Sequence, residues 1–144
     1  MEELGEGELL SLDHEEPWAN QTRDRLTLHG VAARTRVEFA PLREIAAGGQ
    51  QMQWYGYDRL AEFGPIDLLV VDGPPDWTGK MARYPALPMI IPMLSERAAV
   101  LIDDFARPDE TEMVRLWMQS FPGFTLEKLD FEKGAALLRR KAHD

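Results

Sequence analysis

The chain has 144 residues, a length that suits one domain with its own hydrophobic core, and 44% of them are hydrophobic, as in ordinary folded proteins. Acidic side chains number 25 against 16 basic ones, so the formal net charge is -9 and the surface repels nucleic-acid backbones and anionic lipids. The sequence contains no cysteine, which excludes disulfides and thiolate metal sites, and we expect a single domain over residues 1–144 that binds neither nucleic acid nor membranes.

The N-terminal residues are acidic, whereas a signal peptide starts with basic residues and continues with an apolar segment. No apolar run approaches the ~18 residues that a membrane span needs. We therefore expect a cytoplasmic protein. The absence of cysteine is consistent with the reducing environment of the cytoplasm.

The first predicted elements are a strand, an acidic turn and a helix. Residues 9–12 form a short apolar run that ends at Asp13. Pro17 has a fixed φ that suits the first turn of a helix, and Gly30 is a natural helix stop. Residues 37–39 then alternate in the manner of a brief strand.

Residues 41–65 have a weaker pattern. Two adjacent glycines and the glutamines after them predict a loop, and residues 57–63 are expected to form a short helix that begins at Asp58. Three aromatic residues in this segment either form the floor of an acceptor pocket or pack the loop onto the core. These aromatic residues are Trp54, Tyr55 and Tyr57.

Residues 66–71 give the clearest strand. Their sequence, IDLLVV, shows no sustained polar alternation, which is typical of a parallel strand covered on both faces by helices. We therefore expect this strand in the middle of the sheet. It stops at Asp72, and the proline and glycine residues that follow predict a loop.

The next segment predicts an interrupted helix and a second buried strand. Residues 85–94 are apolar but contain two prolines, which kink or break a helix. Residues 98–102 form an apolar strand that ends at Asp103 and Asp104.

The C-terminal segment predicts a helix and a hairpin. Asp109 with Glu112 is expected to form the N-terminal cap of a helix that runs to Phe121. The apolar face of this helix is expected to contain Met113, Val114, Trp117 and Phe121. Residues 124–129 and 135–138 then predict an antiparallel hairpin. The alternation of strands and helices indicates a three-layer α/β domain.

Acids follow three apolar strands, at Asp13, at Asp72 and at the Asp103-Asp104 pair. In a parallel sheet these strand ends share one edge, where ligands bind. A carboxylate there can accept hydrogen bonds from both hydroxyls of a ribose. Turn formation is the alternative explanation for each acid taken alone, but three acids at equivalent positions favour a ligand site.

Five segments, in this order and spacing, carry a resemblance to a known family. They are SLDHEEPWANQTRDRL, VEFAPLRE, IDLLVVDGPP, RYPALPMIIPML and VLIDDFARPDE. Together they resemble class I S-adenosylmethionine-dependent methyltransferases, with the closest likeness to small bacterial methyltransferase-like proteins related to catechol-type O-methyltransferases. The resemblance covers residues 9–139. It implies a three-layer Rossmann-like methyltransferase fold with a mostly parallel sheet, a C-terminal antiparallel hairpin, S-adenosylmethionine as cofactor and a small-molecule acceptor.

The resemblance also implies cofactor-binding residues in the first half of the chain. Asp13 would bind the ribose, with His14 and Trp18 close behind it, and Pro41 and Leu42 would line the adenine. No acid or amide stands near Pro41 to contact the adenine amine. His14 would act as a general base or, beside two glutamates, is a solvated neighbour.

In the second half of the chain the resemblance implies a catalytic and metal-binding role for acids. Asp72 would lie beside the methyl donor and the acceptor, and would orient and deprotonate the acceptor. In the metal-dependent branch of the family this acid joins an Asp-Asn pair to hold a divalent cation. Asp103 and Asp104 take the place of that pair, and their oxygens suit Mg²⁺. Lys80 and Arg83 would contact a substrate carboxylate or balance the local acids.

The glycine-rich turn that holds the methionine end of the cofactor has no counterpart in the sequence. Such a turn and its strand precede the ribose-binding acid by roughly 20 to 30 residues. Here 12 residues precede Asp13, and Gly5 and Gly7 follow no apolar strand. The resemblance therefore implies an N-terminally truncated domain in which the neighbours of the missing strand pair with each other, receive a strand from another chain or are unstable. We expect these 144 residues alone to bind S-adenosylmethionine weakly or not at all.

Three functions are open on this evidence. The first is methyl transfer to an oxygen or nitrogen of a small molecule. The second is a non-catalytic Rossmann-like remnant that serves as an oligomerisation or binding module, which would make the protein a homo-oligomer. The third is a sugar transferase with a metal-nucleotide site at Asp103 and Asp104, which the missing first strand disfavours.

Overall fold

A computed structural model describes residues 5–142 of the chain as two compact units. The N-terminal unit contains residues 5–43 and 55–60, and the C-terminal unit contains residues 44–54 and 61–142. Both units combine strands with helices or helical turns, so the chain is α/β as expected. None of the helices in the described residues combines the length and apolar composition that crossing a membrane requires.

The N-terminal unit is a strand-helix-strand motif. Strand β1 (Leu9–Asp13) is followed by helix α1 (Glu16–Leu28), and strand β2 (Thr35–Phe39) pairs with β1 in parallel. This confirms the predicted strand, turn and helix. Pro17 lies in the first turn of α1, and Gly30, at a φ of 71°, lies just after its end. The Arg23 guanidinium on α1 donates from Nε to the Val37 carbonyl at 2.8 Å, which ties the helix to β2.

The C-terminal unit contains a four-stranded sheet in the order β5-β6-β8-β7. Its strands are β5 (Ile66–Val71), β6 (Leu94–Asp103), β7 (Phe124–Leu129) and β8 (Ala135–Arg140). Strands β5 and β6 are parallel, whereas β8 is antiparallel to both β6 and β7. The predicted C-terminal antiparallel hairpin is thereby confirmed as β7 and β8.

Two helices accompany this sheet. Helix α2 (Ala86–Ile90) has only five residues, and a 3-10 turn that contains a proline follows it directly. This confirms the predicted interrupted helix. Helix α3 (Pro108–Ser120) buries three of its predicted apolar residues, each with at most 1% of its surface exposed. These residues are Met113, Val114 and Trp117. The Trp117 indole donates from Nε1 to the Tyr84 carbonyl at 3.0 Å, which fixes the segment before α2.

Strand β5 differs from the prediction. It is an end strand of its sheet, and its alternate residues Leu68 and Val70 are 57% and 55% exposed. The register places them on the face opposite to Val100 and Ile102, which are fully buried. The prediction of a central strand covered on both faces is therefore wrong for the part of the chain that the structure describes. The apolar run reflects a strand suited to burial, but the described residues give β5 a hydrogen-bonded neighbour on one side only.

The segment predicted as a loop is a β-hairpin. Strands β3 (Leu42–Ala47) and β4 (Gln50–Tyr55) pair with each other, and Gly48 and Gly49 form the turn at φ of 58° and 77°. Two central residues with positive φ are what a tight hairpin turn requires, so the glycines that indicated a loop instead connect two strands. The helix predicted over residues 57–63 is reduced to a 3-10 turn at Leu60–Glu62.

The predicted cap of α3 is also wrong. Arg107 occupies the capping position, and no side chain caps the helix, because Asp109 lies inside the first turn. The Asp109 carboxylate instead accepts a hydrogen bond from the Met81 backbone N–H at 2.9 Å. Glu112 pairs with Arg115 on the helix surface at 2.6 Å.

Candidate functional site

Three acids meet where β5 and β6 end, and we call Asp72, Asp103 and Asp104 the acid cluster. One carboxylate oxygen from each residue lies within 4.8 Å of the others. Val71 pairs with Ile102 in the parallel register, so Asp72, directly after β5, and Asp103, the last residue of β6, follow at the same end of the sheet. The sheet therefore brings Asp72 beside Asp103, as expected for the carboxyl ends of parallel strands.

The backbone of Asp104 has an unusual conformation. Its φ is 55°, a left-handed conformation that aspartate tolerates better than most residues. The Asp103 carboxylate accepts a hydrogen bond from the Asp104 backbone N–H at 2.8 Å, which stabilises this turn. The Asp104 side chain is only 8% exposed, whereas the Asp72 side chain is 64% exposed. The cluster thus has a buried end and an open end.

The Arg83 guanidinium lies against the cluster and is only 5% exposed. Its Nη2 is 3.2 Å from Asp104 Oδ2 and 3.7 Å from Asp72 Oδ1. It also donates from Nη1 to the Asp103 carbonyl at 3.2 Å and from Nε to the Pro74 carbonyl at 3.4 Å. One buried cation therefore contacts all three members of the cluster.

Two further charged residues complete this environment. Arg107 Nη2 is 3.2 Å from Asp104 Oδ2, so that oxygen contacts two guanidinium groups. Glu110, on α3, is 5% exposed, and its Oε1 is 3.7 Å from Arg83 Nε. Glu110 Oε2 is buried and has no hydrogen-bond partner among residues 5–142. Sequence reasoning missed Arg107 and Glu110, and for Arg83 it left open whether the side chain balances acids or meets a substrate.

The pKa of the Asp72 carboxyl is raised above its usual value of 3.8. Burial contributes most to this rise, and the negative charge of Asp103 comes next, while Arg83 opposes both. A raised pKa means that ionised Asp72 is less favourable here than in water. A carboxylate of this kind is a better proton acceptor, and an added cation would relieve the crowding of negative charge.

The donor set of the cluster fits a hard divalent cation. Three carboxylates offer the oxygen ligands that Mg²⁺ takes, and Mg²⁺ usually completes its coordination with water. One oxygen of each acid lies within 4.8 Å of the others, which is close enough for the ionised acids to repel each other. The two guanidinium groups at Asp104 Oδ2 already balance part of this charge.

The other predicted cofactor-binding residues all lie in the N-terminal unit. Asp13 ends β1, and its Oδ1 accepts a hydrogen bond from the Glu15 backbone N–H at 3.0 Å, which is a turn-forming bond. Trp18 is 55% exposed on α1. The Pro41 carbonyl accepts a hydrogen bond from the Gly56 N–H at 2.9 Å, directly before Leu42 begins β3.

The aromatic residues of residues 54–57 separate into different environments. Trp54 is 7% exposed, which supports the packing interpretation for that residue. The Tyr55 ring lies edge-on to the His14 ring, with the ring centres 6.2 Å apart. The His14 side chain is 12% exposed, so the prediction of a solvated histidine is wrong. The contact with Tyr55 is not evident from the sequence, in which two glutamates follow His14.

A cavity of about 250 Å³ lies in the C-terminal unit between the β3–β4 hairpin and the loop after Asp72. Its size is comparable to that of a small organic molecule. The lining is mixed: Met52 and Ala82 are apolar, and the polar side chains are those of Glu44, Gln50, Gln51, Gln53, Thr78 and Lys80. The glutamines that predicted a loop therefore line a cavity, because β4 holds them in an extended strand.

No protein-family model matches the sequence, and no curated protein matches it. Solved structures do match, and several of them are methyltransferases. A methyltransferase from Geobacter sulfurreducens has a TM-score of 0.67 at 14% identity, over 94% of this chain and 59% of that protein. The SAH-bound methyltransferase PaMTH1 from Podospora anserina has a TM-score of 0.64 at 17% identity, over 93% and 61%. The O-methyltransferase from Bacillus cereus in complex with SAH has a TM-score of 0.62 at 12% identity, over 94% and 63%.

These matches define the class of fold. The chain has a methyltransferase-like α/β fold, and its structural neighbours include S-adenosylmethionine-dependent O-methyltransferases. It spans about three fifths of the length of the methyltransferases it matches. At identities of 12% to 17%, the likeness concerns the fold alone.

Proposed function

We propose that the chain is an S-adenosylmethionine-dependent methyltransferase-type domain that acts on an oxygen or nitrogen of a small-molecule acceptor. The observation that carries the proposal is the acid cluster at the adjoining ends of two parallel strands, in a chain with a methyltransferase-like fold. Two of the matched methyltransferases are described as SAH complexes, which supports the choice of cofactor. The cavity of about 250 Å³ is a candidate place for the acceptor.

In this proposal Asp72 is the catalytic residue. Its raised pKa and its exposed carboxylate suit a group that accepts a proton from the acceptor. The same carboxylate would orient the acceptor in line with the methyl group. Asp13 binds the cofactor ribose, with His14 and Trp18 beside it, and Pro41 and Leu42 line the adenine.

We also propose the acid cluster as a site for a divalent cation such as Mg²⁺. Asp72, Asp103 and Asp104 would hold it. When bound, such an ion lowers the pKa of an acceptor hydroxyl and stabilises the negative charge that forms on the oxygen. This chain contributes three closely spaced carboxylate oxygens, and a bound divalent cation would reduce the repulsion between them.

We propose that residues 1–144 form one N-terminally truncated, three-layer Rossmann-like domain, in a cytoplasmic protein. The two parallel pairs, β1 with β2 and β5 with β6, are the pairs that such a domain uses. The sequence contains no glycine-rich turn after an apolar strand, so we expect cofactor binding by these residues alone to be weak or absent.

Cofactor titration tests the proposal. Two-dimensional NMR of the tryptophan indole groups should show saturable shifts with S-adenosylmethionine in the millimolar range, and Asp13→Ala should abolish them. Micromolar binding by calorimetry would contradict the expectation of weak binding while supporting the methyltransferase. If millimolar cofactor moves no signal, the proposal that these residues alone use the cofactor fails, and the non-catalytic module described next is favoured.

A second candidate function is a non-catalytic oligomerisation or binding module. The observation that favours it is β5, an end strand with two apolar residues more than half exposed. Such a strand can add a strand from another chain. Sedimentation equilibrium separates the two functions, because concentration-dependent association without any cofactor response would support the module.

A further inference from the structure

The Arg83 guanidinium lies in the region where a divalent cation would bind. It is 3.2 Å from Asp104 Oδ2 and 3.7 Å from Asp72 Oδ1. A guanidinium is always charged in proteins, so no change of pH removes this cation from the acids. Any metal ion at the cluster must therefore share these oxygens with Arg83 or displace it.

Burial makes this competition strong. Arg83 is 5% exposed and Asp104 is 5% exposed, so water and salt screen their interaction less than at the surface. A cation bound to the same oxygens would lie a few ångströms from the guanidinium, where like charges repel strongly. Arg107 contacts Asp104 as well, but it is 41% exposed and can move into solvent.

Glu110 provides a second partner for the guanidinium. Its Oε1 is 3.7 Å from Arg83 Nε, whereas the salt bridge to Asp104 uses Nη2. Its Oε2 is buried and makes no hydrogen bond within the described part of the chain. A buried acceptor without a partner is unfavourable, and an arginine that moved toward Glu110 would satisfy it.

We propose that Arg83 is a positioning residue that sets the cation affinity of the acid cluster: it neutralises the cluster when no metal ion is present and moves toward Glu110 when one binds. This inference rests on the proposed cation site. It implies that the unmodified chain binds divalent cations weakly, in the millimolar range, although three carboxylates face the site.

Mn²⁺ binding to the full chain, followed by the loss of the free-ion electron paramagnetic resonance signal, tests the inference. Arg83→Gln removes the charge and should tighten Mn²⁺ binding by about tenfold or more. Arg83→Lys keeps the charge and should leave the affinity within about threefold of the parent. Glu110→Gln should weaken binding further, because it removes the alternative carboxylate, and Arg107→Gln is the matched control that should have a smaller effect than Arg83→Gln.

The outcomes separate this inference from the proposals on which it rests. Equal Mn²⁺ affinity in the parent and Arg83→Gln, with binding abolished by Asp103→Asn, would show that the cation site exists and that Arg83 does not control it. If no variant binds Mn²⁺, the cation site itself fails together with the inference, while cofactor titration judges the methyltransferase proposal separately. If Arg83→Gln does not fold by circular dichroism, micromolar Mn²⁺ binding by the parent would still overturn the inference.

Discussion

Trp117→Phe tests the hydrogen bond that joins Trp117 in the core to the segment that contains Arg83. Trp117 is fully buried, and its indole N–H donates at 3.0 Å to the carbonyl of Tyr84, the residue after Arg83. Phenylalanine removes this donor and leaves the carbonyl unpaired, at a cost of about 1 to 3 kcal/mol. The smaller ring also leaves a partly filled space, so we expect a total loss of about 2 to 4 kcal/mol.

Urea unfolding followed by circular dichroism measures this loss, and an unchanged slope would show that the unfolded state is unaffected. At about 2 to 4 °C per kcal/mol, the melting temperature should fall by roughly 4 to 16 °C. Trp18→Phe is the matched control, because Trp18 is 55% exposed and should change stability by less than about 0.5 kcal/mol. Equal effects of the two substitutions would refute the role assigned to the Trp117 hydrogen bond.

Three further predictions concern single substitutions. The raised pKa of Asp72 disfavours its ionised form in the folded state, so its contribution is favourable below the usual value of 3.8 and is lost as pH rises through the folded-state pKa. Asp72→Asn should therefore raise the melting temperature near pH 7 and have little effect near pH 3, and a loss of stability near pH 7 would contradict this sign. Gly48→Ala should destabilise the chain by at least about 1 kcal/mol, measured by urea unfolding, because φ is 58° and the new Cβ would lie 2.7 Å from the Tyr84 ring; an unchanged midpoint would show that the turn adjusts freely. Leu68→Ser should reduce concentration-dependent association in sedimentation equilibrium, whereas an unaltered association constant would place the contact elsewhere.

The acid cluster illustrates what the sequence could predict. An apolar run that ends in an acid identifies the end of a strand, and parallel strands bring such ends together. The sequence alone therefore predicted that Asp72 and Asp103 lie side by side. The apolar face of α3 followed from helical spacing in the same way. In both examples the sequence spacing of a regular element determines which residues share a place.

Arg83 illustrates what the sequence left undecided. It lies in an irregular segment after Asp72, where no period relates residue number to direction, so its burial against three acids depends on tertiary packing. The exposure of Leu68 and Val70 was missed for a different reason. Apolar composition reports how well a strand suits burial, and it does not report whether a neighbour is present to bury it.

The left-handed backbone at Asp104 limits which residues can evolve there. Glycine, asparagine and aspartate accept this conformation with little strain, and most other residues do not. Asparagine is one nucleotide away from aspartate in the genetic code. The turn therefore permits substitution between a charged and a neutral side chain at the buried end of the cluster. Such a substitution could change the cation preference of the cluster while the loop keeps its conformation.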